Sequence, residues 1–165
     1  MLSSTSFCRW RALALGLCLA STALAAQKHP GYLRARDDLR LARALLQRSN
    51  ATETLNNSQD EVSLTIANID GVLSEIDKET GVDRNKPHAL PRIDARMPWS
   101  NRLSESLRLL EKAELDCSKE KDTVGDPELP ARIARLLDQG HTRITVALET
   151  INFDYNARNL PTRND

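Results

Sequence analysis

Disulfide chemistry is the first thing this chain is too poor to support. Its 165 residues hold three cysteines, Cys8, Cys18 and Cys117. The first two fall in an N-terminal stretch read below as removed. One remaining thiol cannot close an intramolecular bridge, so stability must come from packing. Aromatics are scarce, at 4%, and 28% of the residues are charged. That composition alone is compatible with disorder, but the apolar residues are periodic, which disorder does not require. Excess charge of either sign is also missing, with 23 basic and 23 acidic residues. A balanced chain lacks the basic footprint of a nucleic-acid binder and the polybasic character of a membrane-surface protein. No segment alternates with period two for long enough to make a sheet. No Glu-x-x-His, His-Glu-x-x-His or Cys-x-x-Cys-His occurs, nor a Gly-rich phosphate loop or nucleophile elbow. Di-metal bundles, zinc proteases, covalent haem and serine hydrolases each need one of those patterns.

What is present begins with an address. Arg9 and Arg11 precede the apolar run Ala12–Ala20, which passes through Ser21 and Thr22 into Ala23-Leu24-Ala25-Ala26. A basic start, a short apolar core and an A-x-A end are the parts of a secretory signal peptide. Residues 1–25 are therefore read as a signal, with cleavage after Ala25 or after Ala26 equally defensible. An uncleaved anchor needs about 20 apolar residues, more than this stretch offers. A lipid-modified Cys18 would want a small residue where Leu17 stands. Removal takes two arginines and two cysteines and leaves 21 basic against 23 acidic residues, a formal charge of −2. No stable membrane insertion is expected afterwards. A remainder of this size buries roughly 68% of its unfolded surface, enough for one core without staples.

Four helices are predicted, at about 30–47, 59–79, 99–118 and 127–152. In the first, Tyr32, Ala35, Leu39, Ala42 and Leu46 form a 3, 4, 3, 4 stripe, widened by Leu41 and Leu45, and Pro30 suits the first turn. In the second, Val62, Ile66, Ile69, Leu73 and Ile76 form the cleanest stripe. Ser58-x-x-Glu61 reads as its capping box and Gly81 as its stop. Leu103, Leu107, Leu110, Ala113 and Cys117 line the third. Asp126-Pro127 opens the fourth, whose inner face carries Leu129, Ile133, Leu136, Leu137, Gly140, Ile144, Ala147 and Ile151. Gly71 and Gly140 each cost about 1 kcal/mol against alanine inside a helix, and close helix approach is their simplest use. Between the second and third helices, residues 80–98 carry Pro87, Pro91 and Pro98 and read as a crossover strapped across the domain. The expected architecture is all-α, a single four-helix-bundle domain over 26–165 with a long Pro-containing loop in its middle.

The chain that follows the signal opens His29-Pro30-Gly31-Tyr32-Leu33-Arg34-Ala35-Arg36-Asp37-Asp38-Leu39-Arg40-Leu41-Ala42-Arg43. This resembles a family of uncharacterised small exported bacterial proteins that begin HPxYLxAxxDLRxAR and continue as helices. The resemblance extends loosely to the Pro87–Pro98 loop, Asn101-Arg102-Leu103 and a last-helix histidine, His141, which here precedes Thr142-Arg143 rather than an Ile-Asp pair. It implies bacterial export, the periplasm of a Gram-negative cell and a helical bundle, and it assigns no activity.

Few residues carry chemistry. His29, Tyr32, Asp38, Arg40 and His141 are the candidate binding residues, and no catalytic set can be assembled from them. Tyr32 lies in the apolar stripe, with His29 one turn back as a possible partner for its hydroxyl. Asp38 and Arg40 flank Leu39 and could tie the first helix to its neighbours. Arg36, Arg40 and Arg43 follow i, i+4, i+7. They form either an anion-binding stripe or, on the plainer reading, a solvated face paired with Asp37 and Asp38 or with Glu75 and Glu79 of a neighbouring helix. Cys117 falls on an apolar stripe, where a buried inert thiol is expected. Asn50-x-Thr52 and Asn56-x-Ser58 match glycosylation acceptors, relevant only in a eukaryote. No cofactor is expected. The alternative is a divalent transition metal held by His29, His88 and His141 with carboxylates, since neutral imidazole suits zinc, copper and nickel. The reading these features favour is a non-enzymatic exported protein that binds a protein or small-ligand partner, not nucleic acid.

Overall fold

A computed structural model describes residues 29–47, 56–82, 92–122 and 124–159. The chain divides into two units, Met1–Pro30 and Gly31–Asp165. Of the first only His29 and Pro30 are described, so residues 1–25, read above as a signal, lie outside the described residues, as do Asn50, His88 and the Pro87–Pro91 part of the expected crossover. The helices are α1 (Pro30–Gln47), α2 (Asn56–Thr80), α3 (Trp99–Ser118) and α4 (Leu129–Asn159), and no strand occurs among the described residues. The fold is the expected all-α four-helix bundle.

Cross-helix pairs fix how the four helices run. Arg36 meets Asp77 and Arg43 meets Asp70, so α1 and α2 are antiparallel. Asp38 meets Lys112, and Ala42 O faces Ser106, so α1 and α3 are antiparallel too. Glu75 with Arg132 and Glu61 with Arg143 set α4 antiparallel to α2. Glu111 with His141, and Cys117 and Ser118 beside Pro130 and Ile133, set α4 antiparallel to α3. It follows that α1 and α4 occupy opposite corners, and that α2 and α3 run in the same direction on the other diagonal. A chain cannot join parallel neighbours by a tight turn. The end of α2 and the start of α3 therefore lie at opposite ends of the bundle, about 30 Å apart for a 20-residue helix. This is the bundle class with one long crossover.

The core follows the predicted stripes with instructive departures. In α1, Tyr32, Ala35, Leu39, Ala42, Leu45 and Leu46 are buried as expected. In α2 the buried line is Ser58, Val62, Thr65, Ile69, Val72 and Ile76, while Ile66 and Leu73 are only partly buried. The line has rotated toward two polar residues. Thr65 tolerates the core because its hydroxyl donates to Glu61 O at 2.8 Å. The capping box is not formed. Ser58 is the third residue of α2 and fully buried, and packing carries the helix back to Asn56 rather than starting it at 59. Glu61 instead accepts from Arg143 at 2.8 Å.

At the other boundary, Asp126 begins a turn, with its Oδ1 accepting from Glu128 N and its carbonyl from Leu129 N. α4 therefore starts at Leu129, two residues later than the Asp-Pro signal suggests, and continues to Asn159 instead of 152. Gly71 does sit close to a neighbour, with a Cβ there reaching Leu136 Cδ1 at 3.3 Å. Gly140 does not need to be glycine. A Cβ there would meet Thr65 and Leu110 at ordinary distances of 3.6 Å and beyond.

Candidate functional site

The predicted residues are spread along the bundle rather than gathered. At the end where α1 begins, the Gly31 N–H donates to Glu120 Oε1 at 2.5 Å. A carboxylate there caps an orphan donor and faces the positive end of the helix. Contact is close enough that a Cβ on Gly31 would collide with the Asp116 carbonyl oxygen. Tyr32 lies fully buried beside this joint. Its phenol is pushed up to about 12, first by desolvation and then by Cys117, Glu79 and Glu120. Burial likewise pushes the Cys117 thiol up to about 12, assisted by Asp116, Glu120 and Glu114. Neither group is an available nucleophile or base at neutral pH. His29, in the preceding unit, is itself buried.

Asp38 and His141 stand further along, on opposite flanks of α3. Asp38 accepts from Lys112 at 2.9 Å on the α1 side. His141 places Nε2 3.3 Å from Glu111 Oε1 on the α4 side. Glu111 and the Glu120 joint are nine residues apart, about 13 Å of helix. The structure therefore does not bring Tyr32 and His141 together, and α3 separates His141 from Asp38. Arg40 is half-buried on α1. No group of three or more His, Cys, Asp or Glu among the described residues is placed to hold a metal ion.

The arginine stripe resolves into unequal parts. Arg36 is 7% exposed and donates to Asp77 at 2.6 Å. Arg43 grips both oxygens of Asp70 in a more exposed setting. The pairing is with α2, as the plainer reading has it, but the acids are Asp70 and Asp77. Glu75 serves Arg132 and Glu79 accepts from Gly125 N. Arg36 is not on a solvated face at all, because it flanks Ala35 where α1 meets α2.

A concavity with an apolar floor and polar groups around it lies among the described residues just before α3. Asp94 folds the chain into a turn, its carbonyl accepting from Met97 N at 3.2 Å and its Oδ1 from Arg96 N at 2.9 Å. Arg102, 2% exposed, holds that turn from beneath. Its Nε donates to Met97 O and its Nη2 to Ala95 O, both at 3.0 Å. Two backbone carbonyls held by a buried guanidinium tie residues 95 and 97 to the start of α3 and make a wall of residues 92–97. Between this wall, α1 and the start of α3 runs a groove of about 360 Å³, with Leu41, Leu45, Ile93 and Met97 as its apolar lining and Arg92, Asp94, Asn101 and Glu105 around it. A second groove of about 330 Å³ between α2 and α4 contains Asp138, Gln139, Thr142 and Val146, but its charged pair, Glu61 and Arg143, is bonded across it.

Sequence reasoning missed Arg102, Glu120 and the wall. The signal for Arg102 is present, since Asn101-Arg102-Leu103 belongs to the resemblance, but an arginine at the fourth position of a helix gives no hint that it faces inward. Comparison of the chain with protein-family models, with curated proteins and with solved structures finds no match.

Proposed function

We propose that this chain is an exported protein of the bacterial periplasm that works by binding a partner or ligand at the crossover groove, and not by catalysis. The observation that carries the reading is the Arg102 staple. A buried arginine spends its donors on holding a loop wall in place, and the wall's product is a preformed apolar concavity, the usual form of a binding site. The export half of the reading rests on the basic start, apolar run and A-x-A end of residues 1–26. Tyr32 and Cys117 are both buried, with ionisation pushed up to about 12 by desolvation, so neither of these two groups supplies a base or nucleophile near neutral pH. Among the described residues no helix is long and apolar enough to cross a membrane.

Thiol labelling in intact cells tests both halves. Cys117 is buried and gives no background. Asn101→Cys places a thiol in the groove and Ser63→Cys places one on the exposed face of α2. A reagent that crosses the outer but not the inner membrane should label Ser63→Cys in cells as fast as in the purified protein. Absence of that labelling would refute export. Asn101→Cys should react several-fold more slowly in cells than after purification. Equal rates would mean that the groove is empty where the protein works, and the binding reading would fall.

A further inference from the structure

Among the described residues, three of the four large apolar side chains left exposed lie on α2 and α4, namely Leu64, Val146 and Phe153, the last 72% exposed. Two of them belong to one exposed line along α4. From Thr142 the line steps by four, seven and eleven residues in each direction. It reaches Val146, Glu149 and Phe153 one way and Asp138, Arg135 and Ala131 the other, all of them exposed. Eleven residues are close to three turns, so the line stays within a strip about 80° wide and runs about 33 Å along the helix.

Residues at equal steps from Thr142 complement each other. Arg135 and Glu149 are opposite in charge, and neither has an ion-pair partner among the described residues. Ala131 and Phe153 are opposite in size, so the small side chain leaves room for the ring. Asp138 and Val146 fall on opposite edges of the strip and do not meet head-on. A single helix cannot use this matching, because its complementary residues stand about 21 Å and 33 Å apart. Two antiparallel copies can. A two-fold axis crossing α4 at Thr142 sets Arg135 of each copy beside Glu149 of the other, and each Phe153 over the other copy's Ala131, so that every contact occurs twice.

We infer that this face of α4 takes a second copy of the chain, and that the exported protein forms an antiparallel two-fold dimer through it. α4 stands at the corner opposite α1, so the dimer leaves the groove beside α1 open, and the inference does not depend on that groove.

Sedimentation equilibrium of the purified exported protein, from about 1 µM to about 1 mM, measures the association. A reversible monomer–dimer equilibrium is expected. Arg135→Glu and Glu149→Arg should each weaken it about tenfold or more, because each sets two like-charge contacts across the axis. Mixed in equal amounts, the two variants should recover the original association, since both contacts in the mixed dimer again join opposite charges. Phe153→Ala should also weaken the dimer about tenfold, as loss of an aromatic anchor does. All three positions are exposed, and unchanged helical circular dichroism confirms that each variant folds. A protein monomeric throughout, a dimer indifferent to either charge reversal, or a mixture that fails to recover would each overturn the inference.

Discussion

Replacing Gly140 by alanine should make this protein more stable, a sign opposite to that of most substitutions at buried positions. Gly140 lies in the interior of α4, a helix of 31 residues, and is buried against α2 and α3. Glycine in such a position costs about 0.8–1.0 kcal/mol relative to alanine because more backbone freedom is lost on folding. The usual reason to retain it is steric, and here the sterics are permissive. The added Cβ would lie 3.6 Å from Thr65 Cγ2, 3.7 Å from Leu110 Cδ1 and 4.0 Å from Leu110 Cδ2. Those are ordinary van der Waals separations, so no neighbour has to move. The methyl also leaves water, worth up to about 0.8 kcal/mol when fully enclosed. Taking the propensity gain in full and part of the burial gain gives about 1–1.5 kcal/mol. For a domain of this size that corresponds to a rise in Tm of roughly 3–6 °C. Thermal and urea denaturation followed at 222 nm would measure it, with an unchanged urea slope showing that the same transition is being compared. A lowered Tm would mean that α4 lies closer to α2 and α3 than these distances say, and the reasoning from contact geometry would fail.

Gly31→Ala should have the opposite sign, because its Cβ meets a backbone carbonyl that cannot swing aside. Overpacking of that kind outweighs the propensity gain, and a net loss of about 2 kcal/mol is expected by urea denaturation. Asp77→Ala should cost about 2 kcal/mol, since it removes a carboxylate partner from the buried Arg36 guanidinium, while Asp70→Ala, at a more exposed pair, should cost under about 1 kcal/mol. Equal losses from the two would show that the Arg36 pair is no more buried in effect than the Arg43 pair. Asp116 should dominate part of the acid limb of stability. Its bond to Lys119, helped by the Lys119, Arg34 and Lys112 charges, holds its carboxyl below the usual range against the effect of burial. A depressed folded value contributes stability that is present above the unfolded value of about 3.9 and is lost as pH falls through the folded one. Asp116→Asn should therefore flatten the fall in urea midpoint between about pH 5 and pH 2, and an unaltered slope would remove Asp116 from the account.

How much of this was legible beforehand depended on whether the information was local. The stripe from Tyr32 to Leu46 reports one helix face, and periodicity reads it directly. The crossover was visible because proline at 87, 91 and 98 forbids a continuous helix. What periodicity cannot supply is which polar residues turn inward. Thr65 displaced Ile66 from the α2 core line because its hydroxyl is satisfied one turn back. Ser58 reads as a cap in the sequence because its burial depends on helices far away in the chain. Arg36 is invisible as a buried residue for the same reason, its partner lying 41 residues away on α2; the Arg102 partners, Met97 and Ala95, are near in sequence, but no periodic pattern shows that this loop folds back over the start of α3. The histidines illustrate the opposite case. Three histidines invite a metal reading, yet a histidine count carries no distance; His88 lies outside the described residues, and His141 faces Glu111.

The parallel running of α2 and α3 makes the molecule two antiparallel hairpins, α1 with α2 and α3 with α4, laid against each other and joined only by the crossover. Each hairpin carries half of the buried face, and the half it needs is intact on any other copy of the chain. Exchange of hairpins between two molecules would thus rebuild every pair from Asp38–Lys112 to Glu61–Arg143 without a new contact, the general condition for domain swapping. Length of the crossover becomes the determinant of whether the closed monomer or the exchanged dimer is favoured. A shortened crossover could no longer span the height of its own bundle, but would still reach into a neighbour's.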